Sequence, residues 1–156
     1  MEKITEDVIY LFCKQGFVIV STLDSEGSIH CAAKGIAGIE EGGKVYLLDL
    51  YRGKTFSNLK QNPTISITAV DEDEFSGFTL KGTAKIVDRE EIKEHIIAKW
   101  EDKIVQRVSK RVIGHIKKEK KSSHHPEAIF PQPQYLIEMD VKAIVDLTPK
   151  NLKSKK

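Results

Sequence analysis

KVYLLDLYRGKTFSNLKQNP, residues 44–63, runs from an apolar strand through a basic turn into a short helix. Val45 to Leu50 is a run of large apolar residues broken only by Asp49, the pattern of a strand buried on both faces. Arg52-Gly53-Lys54-Thr55 interrupts it. Thr55 is placed to cap a helix starting at Phe56, Gly53 permits a tight turn, and Arg52 and Lys54 put two positive charges beside the helix's unpaired amides. Amide donors, a hydroxyl and cationic side chains converging on one turn suit an anion such as phosphate. A solvated basic turn is the bland reading of the same residues. Asn62-Pro63 ends the helix, because proline disfavours helical geometry in the residue before it.

Upstream, Phe17 to Thr22 is β-branched and Asp24-Ser25-Glu26-Gly27 is a turn, so a hairpin leads into a second strand from Ser28 to about Ile36. Ala32, Ala33 and Gly35 leave that strand with little bulk, which admits either a flat ligand or a closely packed neighbouring helix. Before the hairpin, Thr5 is a helix cap, Ile4 and Ile9 form a hydrophobic staple, and Gly16 ends the helix. Glu40 to Gly43 is the turn into the quoted stretch.

Downstream, Thr64 to Val70 alternates as a half-buried strand does. Asp71 to Glu74 is an acidic turn without the spaced ligands of a calcium loop, so no metal site is read there. Phe78 to Val87 is a further strand in which Gly82 marks a bulge or barrel bend. With Tyr135 to Leu147 as the last, the strands number six and suggest a small barrel in a mainly β, α+β chain.

Between the last two strands, Asp88 and Glu91 resemble a capping box. Apolar residues then recur every fourth position from Ile92 to Ile116, as one long or two broken helices require. Residues 93–121 hold ten Lys or Arg against four acids, which reads as a solvated helix face. His124-His125 in the following loop lacks a third metal ligand nearby. The expected organisation is one domain over residues 1–149, with 88–134 a helical insertion and loop, and a lysine-rich tail at 150–156.

The 156 residues are 40% hydrophobic and 31% charged, a globular composition. A formal charge of +2 gives no case for nucleic acid, and no apolar run approaches the roughly 20 residues a spanning helix needs. MEKITEDV lacks a cationic start and hydrophobic block, so a cytoplasmic location is expected. Cys13 and Cys31 have no metal-ligand spacing and are expected as buried free thiols in a reducing compartment.

The order of helix, hairpin with small-residue strand, apolar strand, Lys54-Thr55 turn, short helix with Asn58 and Asn62-Pro63, and Gly77-Phe78-Thr79-Leu80-Lys81-Gly82-Thr83-Ala84 resembles the pyridoxamine-5′-phosphate-oxidase-like FMN-binding split barrel. The likeness covers Ile4 to Val87, with Tyr135 to Leu147 closing the barrel. It implies an FMN-binding flavoprotein, an FMN-dependent oxidoreductase of unassigned substrate, with Lys54 and Thr55 on the phosphate. Ring and ribityl chain would lie along Ala33, Lys34, Gly35, Leu48, Asp49 and Leu50, largely through backbone groups. It also implies a homodimer with flavin in the cleft between subunits, acting on a small redox substrate and binding neither nucleic acid nor membrane. Relatives with deazaflavin F420 or haem, and a non-catalytic flavin carrier, are the alternatives. True oxidases of pyridoxamine phosphate carry an arginine where Ala32 stands, and basic C-terminal substrate ligands this chain does not show. His30, Cys31 and Asp49 could each reach the cleft, and no catalytic residue is assigned.

Overall fold

Strands β1 (Val18–Leu23), β2 (Ile29–Glu40), β3 (Lys44–Asp49), β4 (Thr64–Asp71), β5 (Ser76–Asp88) and β6 (Tyr135–Asp146) close into an antiparallel barrel in the spatial order β1-β2-β3-β6-β5-β4. The computed structural model describes residues 2–94, 96–99, 101–102 and 133–153. The expected helix repeat beyond residue 102, most of the basic segment and the His124-His125 loop lie outside the described residues.

Alternation along the strands decides what fills the barrel. Val18, Val20 and Thr22 of β1 point inward while Ile19 faces out, and Ile65, Ile67 and Ala69 of β4 join them in the interior. Leu47, Ile137 and Met139 complete the core from the opposite wall. β3 is buried on both faces, as its apolar run requires: Leu47 enters the barrel, whereas Leu48 lies outside it, beneath Ile92 and Ile96, with Ala37 and Leu136. The segment after β5 thus packs on the outer wall of β2, β3 and β6.

Helix α1 (Glu6–Lys14) covers one end of the barrel, burying Val8, Leu11 and Phe12, with Ile4 buried ahead of it. Thr5 occupies its N-cap position but makes no side-chain cap hydrogen bond. Lys14 Nζ sits 2.6 Å from Asp71 Oδ2, and Asp71 Oδ1 accepts the amides of Asp73 and Glu74 at 3.1 and 3.2 Å. The acidic turn is therefore self-capped. Asp88 precedes a 3-10 turn, Arg89–Glu91, and likewise makes no side-chain cap bond. Both thiols are exposed, which corrects the expectation that they are buried: Cys13 is on the outer side of α1, and Cys31 alternates outward on β2.

Gly82 is where β5 bends. The β5–β6 register shifts between Lys81 and Gly82, and a Cβ on Gly82 would lie 1.9 Å from the Asp140 carbonyl oxygen. Backbone cannot yield as a flexible side chain can. Gly82→Ala is therefore expected to destabilise the barrel by about 2 kcal/mol or more, seen as a lowered urea midpoint at unchanged slope. Gly35→Ala, where an added Cβ meets nothing within 4 Å, leaves the midpoint unchanged or slightly raised.

Candidate functional site

The second helix, α2 (Lys54–Gln61), closes the barrel end opposite α1. It begins at Lys54 with Gly53 as its N-cap, and no side chain caps it. Thr55 is thus inside the first turn, which corrects the sequence expectation. The physical reason is that the Gly53 carbonyl already accepts an intrahelical amide, so the helix starts one step earlier. The first intrahelical bond runs from the Ser57 amide to the Gly53 carbonyl at 3.1 Å. The amides of Lys54, Thr55 and Phe56 precede it, the donors a helix start leaves for an anion.

The two basic residues of the turn divide. Arg52 stacks over the Phe56 ring at 5.4 Å and lies 3.8 Å from Asp88 Oδ1; Lys60 approaches the same ring at 5.3 Å. Phe56 in turn meets Tyr135 edge-on, with centroids 5.0 Å apart. Arg52 holds the helix against the barrel. Lys54 is exposed and makes no ion pair among the described residues. Its charge is felt at the β1–β2 turn, where the Asp24 carboxyl is held below its ordinary value first by the Ser28 and Glu26 amides, each donating at 2.9 Å, and further by Lys54. Thr55 is only 2% exposed, and its hydroxyl has no hydrogen-bond partner among the described residues. An orphan buried hydroxyl is costly to leave so, and an anion seated on the helix start would satisfy it.

Inside the barrel, at the α2 end, a cross-strand row forms. Val18 opposes Lys34, Gly35 opposes Leu48 so that Lys34 and Asp49 follow as the next opposed pair, and Asp49 opposes Tyr135. Lys34 Nζ lies 2.6 Å from Asp49 Oδ2, both side chains being about nine-tenths buried. The Tyr135 hydroxyl donates to the same carboxylate, and burial, followed by that bond, pushes the phenol well above its ordinary value. Asp49 Oδ1 accepts the Leu50 amide at 2.9 Å, and the Asp49 carbonyl accepts the Gln134 amide at 2.8 Å.

The sequence candidates therefore separate. Lys54 and Thr55 meet at the helix start. Ala33 is exposed on the outer wall and Gly35 stands open beside it, with no helix packed closely there among the described residues. Leu48 is buried beneath Ile92 and Ile96, and Leu50 is half-buried. Lys34 and Asp49 turn inward and engage each other, leaving only their backbone to the outer wall. The Asp49 carboxylate is thereby held by Lys34 and Tyr135 in the barrel interior. Cys31 Sγ lies 3.3 Å from Ser21 Oγ on the exposed face, and His30 is half-buried opposite Thr22. Sequence reasoning missed Tyr135, whose link to Asp49 spans 86 residues, and Thr22, which accepts the Asn58 amide at 3.0 Å.

The model of the pyridoxamine 5′-phosphate oxidase family matches residues 4–130. No curated protein sequence matches the chain. Among solved structures, HupZ of Group A Streptococcus is 18% identical with a TM-score of 0.63, over 93% of this chain and 94% of that one. An FMN-binding protein of Syntrophomonas wolfei is 14% identical with a TM-score of 0.60, over 92% and 86%. An F420 reductase is 13% identical with a TM-score of 0.59, over 91% and 98%. At these identities the likeness is one of fold.

The row inside the barrel has its own consequence. Removing one partner of a buried ion pair strands the other, so Asp49→Ala is expected to cost about 3–5 kcal/mol. Lys34→Met combined with Asp49→Leu, which removes both charges, costs much less than the sum of the two single changes. Urea unfolding of the four proteins in a double-mutant cycle reads the coupling.

Proposed function

The chain belongs to the pyridoxamine 5′-phosphate oxidase family, and on that footing we propose that it is an FMN-dependent oxidoreductase whose flavin phosphate sits on the start of α2. The observation that carries the reading is the Lys54 ammonium beside the first-turn amides and the buried Thr55 hydroxyl of one helical turn, none of which has an ion-pair or hydrogen-bond partner among the described residues. The fold and the phosphate recipe support each other. FMN supplies hydride and single-electron transfer when bound; the chain's part is to hold the phosphate, to lay open backbone at Ala33 and Gly35 beside the ring, and to exclude competing chemistry. No catalytic side chain is assigned among the described residues, which fits a substrate positioned by the flavin and the backbone.

A homodimer belongs to the same proposal. The outer wall of β1 and β2, beside Ala33, exposes Phe17, Ile19 and Ile29, the last at 74%. A shallow concavity of about 420 Å³ continues that wall through Leu23, Ile29 and Ile65, flanked by Lys81 and Lys142. A second copy covering this wall would bury the apolar side chains and complete the flavin cleft. Exposed free thiols suit a reducing cytoplasm, and among the described residues no helix is long and apolar enough to cross a membrane. A deazaflavin in the same place is the second reading, favoured by the structural likeness to an F420 reductase; the absorption spectrum of the coloured protein separates the two.

Charge-assisted hydrogen bonds contribute about 1.5–3 kcal/mol, so Lys54→Ala is expected to weaken FMN roughly ten- to a hundredfold. Riboflavin lacks the phosphate, and its weaker binding should hardly change. Fluorescence titration of both flavins against both proteins checks this. Equal losses for the two ligands would mean that Lys54 supports the fold and would remove the phosphate from this turn.

A further inference from the structure

Helix α2 is only eight residues long, and a short helix is positioned by what it packs against. Two of its anchors are apolar: Phe56 lies edge-on to Tyr135, and Leu59 joins the barrel core. Such contacts tolerate a roll of the helix about its axis, because they are non-directional. The third anchor is different in kind. Asn58 Nδ2 donates to Thr22 Oγ1 at 3.0 Å, with Asn58 3% and Thr22 2% exposed.

Asn58 follows Thr55 by three residues and Lys54 by four, so all three share one face of the helix. Thr22 is on β1, two residues before Asp24, whose carboxyl feels the charge of Lys54. The β1 end of the barrel therefore meets α2 first by the hydrogen bond at Asn58, and its turn lies within the field of Lys54. A roll that broke that bond would carry Lys54 and the Thr55 hydroxyl around the axis, away from a common point.

We propose that Thr22 and Asn58 are positioning residues for the phosphate site: their buried hydrogen bond fixes the rotation of α2, and so aims Lys54, Thr55 and the first-turn amides at one anion. This rests on the reading that α2 receives the phosphate of FMN. It assigns a ligand-selecting role to two residues that touch no ligand. A purely structural bond would add stability and leave ligand preference alone, whereas an aiming bond changes the preference for FMN over riboflavin.

The test measures dissociation constants for FMN and riboflavin, with urea stability, for the wild type, Thr22→Val, Thr22→Ser, and the double variant Thr22→Val/Asn58→Leu. Thr22→Val strands a buried amide and should be the least stable; the double variant removes both polar partners and should fold. In the double variant FMN affinity is expected to fall roughly tenfold while riboflavin stays within about twofold. Thr22→Ser keeps the hydroxyl and should retain the wild-type preference. An unchanged FMN-to-riboflavin ratio in a folded double variant, with a clear preference in the wild type, overturns the aiming role and leaves the phosphate site standing. A wild type that binds the two flavins equally overturns the phosphate site, and the aiming role with it.

Discussion

Lys34 and Asp49, held 2.6 Å apart inside one end of the barrel, are the constraint on which the arrangement of the site depends. Two charges withdrawn from water are tolerated only when geometry and further hydrogen bonds compensate the lost hydration. The Tyr135 hydroxyl and the Leu50 amide provide that compensation, and in doing so join β2, β3 and β6 at the point where the chain leaves β3. Phe56 then rests on Tyr135, so the row that closes the barrel end is also the floor beneath α2. Position is transmitted from an interior ion pair to a helix start without either charge reaching the surface.

The surface consequence is a division between two neighbouring cations. Arg52 is occupied by Phe56 and Asp88, while Lys54 is exposed and makes no ion pair among the described residues. A guanidinium suits a stacked, bridging role, and an ammonium on a flexible stem suits a point contact with phosphate. Gly35 leaves the outer wall of β2 open, an added Cβ there meeting nothing within 4 Å.

Much of the fold was legible because the strands of this barrel have one wet and one dry face, and alternation records that directly. The run Val45 to Leu50 read as doubly buried, and Val45, Leu47 and Leu48 are buried on its two faces, Ile92 and Ile96 covering Leu48, while Tyr46 and Leu50 are half-buried. Gly82 read as a bend, and the register shifts there. Helix capping was less legible: Thr5, Thr55 and Asp88 all look like caps, yet the one at α2 is Gly53 and none of the side chains makes a cap bond. Cys13 and Cys31 show the limit of type-based expectations, since a thiol's usual preference for the interior says nothing about which face of α1 or β2 it occupies. At the site, Lys54 and Thr55 were readable as neighbours in one turn. The inward pairing of Lys34 with Asp49 was not, because it depends on strand register, and neither was Tyr135, which arrives from the far end of the chain.

Whether α2 begins where a phosphate is held is tested most directly by a crystal structure of the protein loaded with FMN. The phosphate is expected against the Lys54 ammonium and the amides of the first helical turn, with the Thr55 hydroxyl satisfied and the ring beside Ala33 and Gly35. A phosphate held on another element, with Lys54 left in solvent and Thr55 still without a partner, would contradict it.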